Sequence, residues 1–191
     1  MKLFKKNNSL SDQELINLIL AGDSSAFELL VNRFQNKIFR FILRHVWNRH
    51  EAEDLTQETF VSAFTRLSGY EARSQLSTWL FGIAYNKVLQ HHRQSPGQNV
   101  EFVSEEILEE QPSLELTPSE KFEKDAMVHD LNRFIDQLPD DLKTVLILVS
   151  FEGCSYDEVA EIMKIPAGTV KSKMFRAREV LKTSYKQIRP Q

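Results

Sequence analysis

A basic stretch near the C-terminus carries the residue types that contact a nucleic-acid duplex. Residues 164–189 contain eight Lys or Arg side chains against a single acid, Glu179. Val170, Met174 and Ala177 recur at three- and four-residue steps, which predicts a helix with these apolar side chains inward. The side chains left outward or flanking are Lys171, Ser172, Phe175, Arg176 and Glu179.

Side chains of these types can read base edges in a major groove. Lys or Arg pairs with guanine, Ser pairs with several bases, and an aromatic ring contacts the thymine methyl group. Lys173, Arg178 and Lys182 are better placed for phosphates, which add affinity without sequence preference. A solvated basic helix at a C-terminus is the alternative interpretation of the same residues.

The elements before this helix favour DNA binding. Ser155 and Glu158 have the spacing of a capping box, in which each side chain satisfies the other's backbone N–H, so a short helix should begin there. Residues 165–168 predict a tight turn, after which Thr169 should cap the basic helix. We expect Val180 and Leu181 to continue its inner face. Two helices around a short turn are the helix-turn-helix plan.

A carboxylate-rich helix is predicted over about residues 51–67, in the N-terminal half of the chain. Its apolar face should contain Leu55, Thr59, Phe60, Ala63 and Phe64. The opposite, polar face should present Glu53, Asp54, Gln57 and Glu58.

A polar loop over residues 68–75 leads into a fourth helix over about residues 76–93. This helix mixes aromatic, amide and basic side chains, which suits unstacked single-stranded bases: rings stack, amides read edges and cations hold phosphates. The alternative is that the two rings belong to the core. The side chains concerned are Trp79, Tyr85, Asn86, Lys87, Gln90, His91 and Arg93.

The residue pattern gives no case for an enzyme. His91 and His92 are adjacent and so do not share a helix face, and no carboxylate or Cys is spaced to join them. Cys154 has no local base, and no glycine-rich phosphate loop occurs. We therefore expect no catalytic residue, no metal site and no cofactor.

Composition and charge predict an all-α protein with two small helical domains. The chain has 191 residues with 41% apolar content and only six Gly and six Pro, which disfavours a turn-rich β fold. Residues 101–125 hold nine acids and two lysines. We expect a first domain over residues 1–94, a flexible acidic linker over 95–116, and a second domain with the helix-turn-helix over 117–191.

Helix boundaries within both domains can be read from capping residues. In the first, Ser11 and Glu14 form a predicted capping box, Gly22 ends that helix, and Asp23 or Ser24 caps a long helix running to Val46. In the second, Thr117 and Pro118 predict a helix start, and another helix follows Pro139.

Targeting signals are not apparent. The basic N-terminus is not followed by an apolar run, and no segment approaches the length of a membrane helix. One cysteine suits a reducing compartment. We expect a cytoplasmic protein without direct membrane insertion.

Three segments together resemble the sigma factors of the extracytoplasmic function group, most closely the envelope-stress sigma-E type. They are Glu53–Phe60, Ser77–Asn86 and Gly168–Glu179. Leu138-Pro139 and the helix start at Ser155 also fit. The resemblance covers nearly the whole chain except the predicted linker over residues 95–116.

The resemblance implies a subunit that directs core RNA polymerase to specific promoter DNA and assists melting, with an anti-sigma factor as a further partner. The acidic helix would dock on the polymerase through Glu53, Asp54, Gln57 and Glu58. The loop and fourth helix would capture the -10 element through Tyr70, Arg73, Ser74, Trp79, Asn86, Lys87 and Gln90. The basic helix would read the -35 element through Lys171, Ser172, Lys173, Phe175, Arg176 and Arg178.

The chain departs from the family pattern at two places. The -10 loop has Tyr70, Glu71, Ala72 and Arg73 where an aromatic-Arg-Gly start is frequent. Lysines stand at positions 171 and 173, where arginine is frequent, and lysine is the poorer bidentate reader. Both departures bear on which promoter sequence is preferred.

Two other classes of protein are compatible with parts of the pattern. One is a dimeric regulator that pairs the helix-turn-helix with an N-terminal sensor, although a sensor has no need of the acidic face at residues 53–58. The other is a nucleic-acid-processing enzyme, which needs a paired-carboxylate or metal site that the sequence does not display.

Overall fold

The computed structural model describes residues 10–94 and 130–188. These two ranges contain helices and turns and no strand, as expected for an all-α chain. The helices form two compact units, with four helices in the first. The predicted acidic linker and the helix start at Thr117 lie outside the described residues.

The first unit is built from helices α1 to α4. Their bounds are α1 Asp12–Leu20, α2 Ser24–Val46, α3 Arg49–Arg66 and α4 Leu76–Gln94. A short 3-10 turn, Leu67–Gly69, follows α3. The long helix α2 packs against the other three, so it forms the centre of this unit.

Local capping chemistry sets the first helix boundaries as predicted. The backbone N–H of Ser11 donates to the Glu14 carboxylate at 2.7 Å, and the Glu14 N–H donates to the Ser11 hydroxyl at 3.3 Å. Gly22 takes a φ of 95°, a left-handed conformation that glycine adopts without steric cost. Asp23 then caps α2 by accepting from the Ser25 N–H at 2.9 Å.

The core of the first unit is an apolar stripe along α2. Phe41 is fully buried and meets the ring of Phe81 edge-on, with centroids 5.4 Å apart. Helix α3 contributes the buried residues Phe60 and Ala63. The buried Thr59 hydroxyl has a hydrogen-bond partner, because it donates to the Leu55 carbonyl at 2.7 Å. The predicted inner face of α3 is wrong at Phe64, which is 56% exposed.

The second unit is built from the helices that follow. Residues 130–136 form α5. The others are α6 Asp140–Ser150, α7 Tyr156–Met163 and α8 Ala167–Ile188. Helices α6 and α8 pack together, and the buried residues include Val145, Ile147 and Leu148 of α6 and Val170, Met174 and Ala177 of α8.

The turn between α7 and α8 differs from its prediction. Lys164 takes the left-handed conformation, with φ 55°, that ends α7. Helix α8 begins at Ala167, and the Pro166 carbonyl accepts from the Thr169 N–H at 2.8 Å. Thr169 therefore lies inside the first turn and is not the cap, because backbone geometry at Pro166 starts the helix two residues earlier. Val180 is also outward, at 41% exposed.

Candidate functional site

The polar face of α3 presents the predicted docking residues to solvent. Asn48 caps the helix by accepting from the Glu51 N–H at 3.2 Å. The next turns carry Asp54, Gln57 and Glu58, all exposed. Glu53 is half-buried and pairs with Arg49 at 3.0 Å, so part of its charge is neutralised within the helix. Asp54 makes no ion pair with any residue the structure describes.

An ion pair joins this face to α4. The ammonium group of Lys87 donates to the Glu58 carboxylate at 2.8 Å, and the Lys87 side chain is 23% exposed. The structure thus brings a predicted docking residue and a predicted DNA contact into direct contact, which the sequence did not indicate. A small cleft of about 250 Å³ lies beside them, with Asp54 and Gln90 among its lining residues.

The sequence shows no carboxylate spaced to join the two adjacent histidines, but the tertiary structure brings one to His91. His91 lies 3.3 Å from the Glu51 carboxylate, which α3 contributes across the helix packing. His92 is also half-buried, and its ring contacts the His45 carbonyl at 3.3 Å. A carboxylate 40 residues away in the chain is invisible to local spacing.

An apolar groove adjoins the acidic face, and the sequence analysis missed it. It measures about 550 Å³ between α2 and α3. Val61 and Phe64 line it at 64% and 56% exposed, and the Phe64 ring meets Phe27 edge-on at 4.9 Å. Gln57 stands at its rim, four and seven residues before them. That helical spacing was the available signal, because it places all three side chains on the outer face.

The loop before α4 is held by its own contacts. The Tyr70 hydroxyl donates to the Ser74 carbonyl at 2.5 Å, and the Tyr70 ring lies against Trp79 with centroids 5.2 Å apart. Burial, together with the Asp12 carboxylate, raises the pKa of Tyr70, so the hydroxyl remains a donor at neutral pH. Arg73 is exposed and pairs with Glu71 at 2.5 Å, and Ala72 takes a left-handed φ of 52°.

The predicted DNA contacts on α4 differ in how exposed they are. Asn86 and Gln90 are exposed, and the Asn86 amide donates to the Gly82 carbonyl at 2.7 Å. Trp79 and Tyr85 are half-buried, so each ring has a packed side and an accessible side. The two rings therefore belong partly to the core and partly to the surface.

The outward face of α8 agrees with the sequence prediction. Val170, Met174 and Ala177 are buried, and Phe175 is 67% exposed. The Ser155–Glu158 capping box that starts α7 is formed, with the Ser155 N–H donating to Glu158 at 2.8 Å. Five of the predicted -35 contacts are exposed on α8: Lys171, Ser172, Phe175, Arg176 and Arg178.

Lys173 differs from this set. It is half-buried, and its ammonium group hydrogen-bonds the Asp141 carboxylate in the first turn of α6. That hydrogen bond lowers the pKa of Asp141, with the positive charge of Lys173 acting in the same direction. Lys173 is therefore less accessible than the other predicted -35 contacts, and its role as a phosphate contact stays a prediction.

Within residues 10–94 and 130–188, no three His, Cys, Asp or Glu side chains group closely enough to hold a metal ion. Among the helices of these same ranges, none is both long and apolar enough to cross a membrane.

Comparison with protein families matches both units. The model for Sigma-70 region 2 matches residues 30–96, and the model for region 4 of Sigma-70 matches residues 129–181. The RNA polymerase sigma-H factor of Pseudomonas aeruginosa is 38% identical over 176 residues, covering 89% of this chain and 91% of that protein. The chain belongs to the extracytoplasmic function group of sigma factors.

Further relatives agree with that membership. The ECF RNA polymerase sigma-E factor of Haemophilus influenzae is 34% identical, covering 94% of this chain and 97% of its own. Among solved structures, the sigma factor RpoE of Bartonella quintana, in complex with the anti-sigma factor NepR, matches with a TM-score of 0.67 at 26% identity, covering 85% of this chain and 98% of that one.

Membership settles the class of activity. As a sigma factor, the chain directs core RNA polymerase to promoter DNA for transcription initiation, and it is not an enzyme. The two alternatives, a dimeric sensor-regulator and a nucleic-acid-processing enzyme, are therefore wrong.

Proposed function

We propose that the sigma factor docks on core polymerase through the polar face of α3. Asp54 and Glu58 offer exposed carboxylates, and complementary charge steers association and suppresses wrong partners. The adjoining groove at Val61 and Phe64 adds apolar area, and polar rims around an apolar centre are typical of protein interfaces. Glu53, paired with Arg49, lies at the edge of this surface.

The -10 element is assigned to the loop after α3 and to α4. Single-stranded bases bind by stacking on accessible rings and by contacts to amides, and Tyr70 and Trp79 form such a ring pair beside the exposed Asn86 and Gln90. Arg73, Ser74 and Lys87 complete the proposed contacts.

The -35 element is assigned to α8. Its early outward residues are exposed opposite a buried apolar face, which is how a recognition helix presents side chains to a major groove. Arg176, Lys171, Ser172 and Phe175 are the proposed base readers, and Arg178 is a proposed phosphate contact.

The chain is proposed to have two functional modules joined by a linker. Residues 1–94 would form the polymerase and -10 module, and residues 117–191 would form the -35 module. Residues 95–116 connect them. The acidic charge of residues 101–125 suits a segment that avoids promoter phosphates.

An anti-sigma factor is a further proposed partner, acting in the cytoplasm. The Bartonella quintana relative was solved with such a factor, which supports extending the partner class to this chain. An inhibitor that covers the α3 face and its apolar groove would block polymerase docking directly.

These assignments rest on two exposed surfaces in the same chain, the carboxylates of α3 and the Lys, Ser, Phe and Arg side chains of α8. Run-off transcription with reconstituted holoenzyme on a promoter library tests them. We expect transcripts from promoters that share a -35 and a -10 motif. Core binding without sequence preference would contradict the α8 assignment, and absence of core binding would contradict the α3 assignment.

A further inference from the structure

One proposed DNA contact in the second unit is already engaged within the protein. The Lys173 side chain is 19% exposed, against 63% for Lys182 on the same helix. Its ammonium group forms a hydrogen-bonded ion pair with Asp141 of α6. We infer that Lys173 is a positioning residue for base reading by α8, and not a phosphate contact. This inference rests on the proposed function of α8.

The acceptor side of the pair is held in place. One Asp141 oxygen accepts from the backbone N–H of Leu142 at 2.9 Å, and the other accepts from Lys173. The Lys173 hydrogen bond lowers the pKa of Asp141, so the carboxylate is ionised at neutral pH. The cation thus has a partner of opposite charge at a defined position before DNA arrives.

Helix α6 is itself a fixed support. Val145, Ile147 and Leu148 are fully buried, and Lys143 pairs with Asp136 of α5 at 2.8 Å with only 7% of its side chain exposed. Two ion pairs therefore connect three helices of the second unit, α5 to α6 and α6 to α8. A helix tied to this support has less freedom to slide or rotate.

Apolar packing alone constrains the rotation of α8 less than apolar packing together with a directional ion pair. The buried side of α8 contributes Val170, Met174 and Ala177, and the hydrophobic effect that buries them is non-directional. Base-edge hydrogen bonds weaken steeply with misalignment. Lys173 lies between the proposed readers Ser172 and Phe175, so a directional bond at this point sets the rotation of the readers on both sides.

Asp141→Asn is the decisive variant because the two interpretations predict changes in different quantities, overall affinity for DNA in one and discrimination between DNA sequences in the other. If Lys173 touches phosphate, removing a nearby carboxylate frees a cation and raises affinity for any DNA. If the pair positions α8, the holoenzyme containing Asp141→Asn loses discrimination between the -35 motif selected from the library and a scrambled one by about tenfold, the lower range of what one base-reading pair contributes. Asp157→Asn, an exposed carboxylate in the first turn of α7, is the matched charge control.

Substitutions at the cation complete the test. We expect Lys173→Met to lose the same discrimination, Lys173→Arg to retain it, and the double variant Lys173→Met/Asp141→Asn to be no worse than either single variant. The dependence of affinity on salt should keep its wild-type slope in Lys173→Met, whereas a lost phosphate contact lowers that slope by about one. Thermal melting of each variant verifies that the second unit is folded.

The outcomes separate this inference from the proposed function. Unchanged discrimination in Asp141→Asn, with a uniform affinity loss and a lower salt slope in Lys173→Met, overturns the positioning role and restores the phosphate contact. A wild-type holoenzyme that binds both motifs equally overturns base reading by α8, and the positioning role with it.

Discussion

At the scale of single residues, exposure and existing partners distinguish side chains that look equivalent in the sequence. Asp54 and Glu53 are adjacent acids, yet Glu53 is paired with Arg49 and Asp54 is exposed. Arg176 and Lys173 are both cations of α8, yet Lys173 is committed to Asp141. An exposed charge that has no ion pair within the described protein is free to interact with a binding partner. Substitutions at Asp54 and Arg176 should therefore cause the largest losses of binding free energy.

Asp54→Lys should weaken binding to core polymerase by about 2 kcal/mol or more, because the new lysine would repel the basic surface expected on the polymerase. Titration of labelled core polymerase measures this loss. The fold should persist, since the side chain is exposed. Glu28→Lys, an exposed acid on α2, is the control and should bind normally. Equal affinity of both variants would show that α3 does not face the polymerase.

Arg176→Ala should weaken holoenzyme binding to the cognate -35 element by about 1–3 kcal/mol and relax preference at one base position. Competition binding with cognate and scrambled promoters measures both effects. Lys182→Ala should instead weaken binding to the two promoters equally, because a phosphate contact carries no sequence information. If Arg176→Ala shows that uniform pattern, Arg176 is a phosphate contact as well.

At the scale of elements, helix ends and helix faces decide which side chains reach a partner. Capping boxes of the same design begin α1 and α7, with Ser11 and Ser155 as the caps. Each satisfies backbone donors that helix geometry leaves without an intrahelical acceptor. The two caps lie in different units, so they provide a matched pair for testing the stability of each.

Ser155→Ala should lower the free energy of unfolding of the second unit by about 1 kcal/mol. Both tryptophans, Trp47 and Trp79, are in the first unit, so their fluorescence follows that unit alone during urea denaturation, while circular dichroism follows both. We expect Ser155→Ala to shift only the circular dichroism transition and Ser11→Ala to shift the fluorescence transition. A fluorescence shift in Ser155→Ala would show that the units unfold together.

The outer face of α3 yields a second test at this scale. Phe64→Ala removes an exposed ring, so it should cost little stability, about 0.5–1.5 kcal/mol from the edge-on contact with Phe27. It should nevertheless weaken polymerase binding, since apolar centres provide much of the energy of an interface. Titration of core polymerase measures binding of this variant and of Leu20→Ala, a control at an exposed apolar residue of α1. Weaker binding of Phe64→Ala alone would assign the effect to the groove and not to the loss of any exposed apolar side chain.

At the scale of the whole molecule, the two functions are assigned to separate compact units. Net charge is -3, which conceals a basic C-terminal end and an acidic middle. Asp54 and Arg176 lie in different units. Substitutions at independent sites combine additively in free energy.

The combined variant Asp54→Lys/Arg176→Ala should therefore show a transcription defect equal to the product of the single defects. Run-off transcription at subsaturating core polymerase measures all three variants. A combined defect that differs from the product by more than about threefold, roughly 0.6 kcal/mol, would reveal coupling between docking and -35 reading.

Local sequence chemistry determined the caps at Ser11, Asp23 and Ser155 and the inward face of α8 from Val170 to Ala177, because capping and helical periodicity depend on residues within one or two turns. The box at Ser11, the cap at Asp23 and the burial of Met174 all follow from such short spacings. The same reasoning identified the acidic face at Asp54 and the exposed face at Arg176.

Only the tertiary structure decided which of these side chains meet others from distant parts of the chain. The pairs Glu58 with Lys87, Glu51 with His91, and Asp141 with Lys173 each join separate helices. The outward position of Phe64 and the groove it lines with Phe27 likewise depend on how α2 packs on α3. Such contacts are set by the packing of helices against one another, and the spacing of residues within one helix carries no record of it.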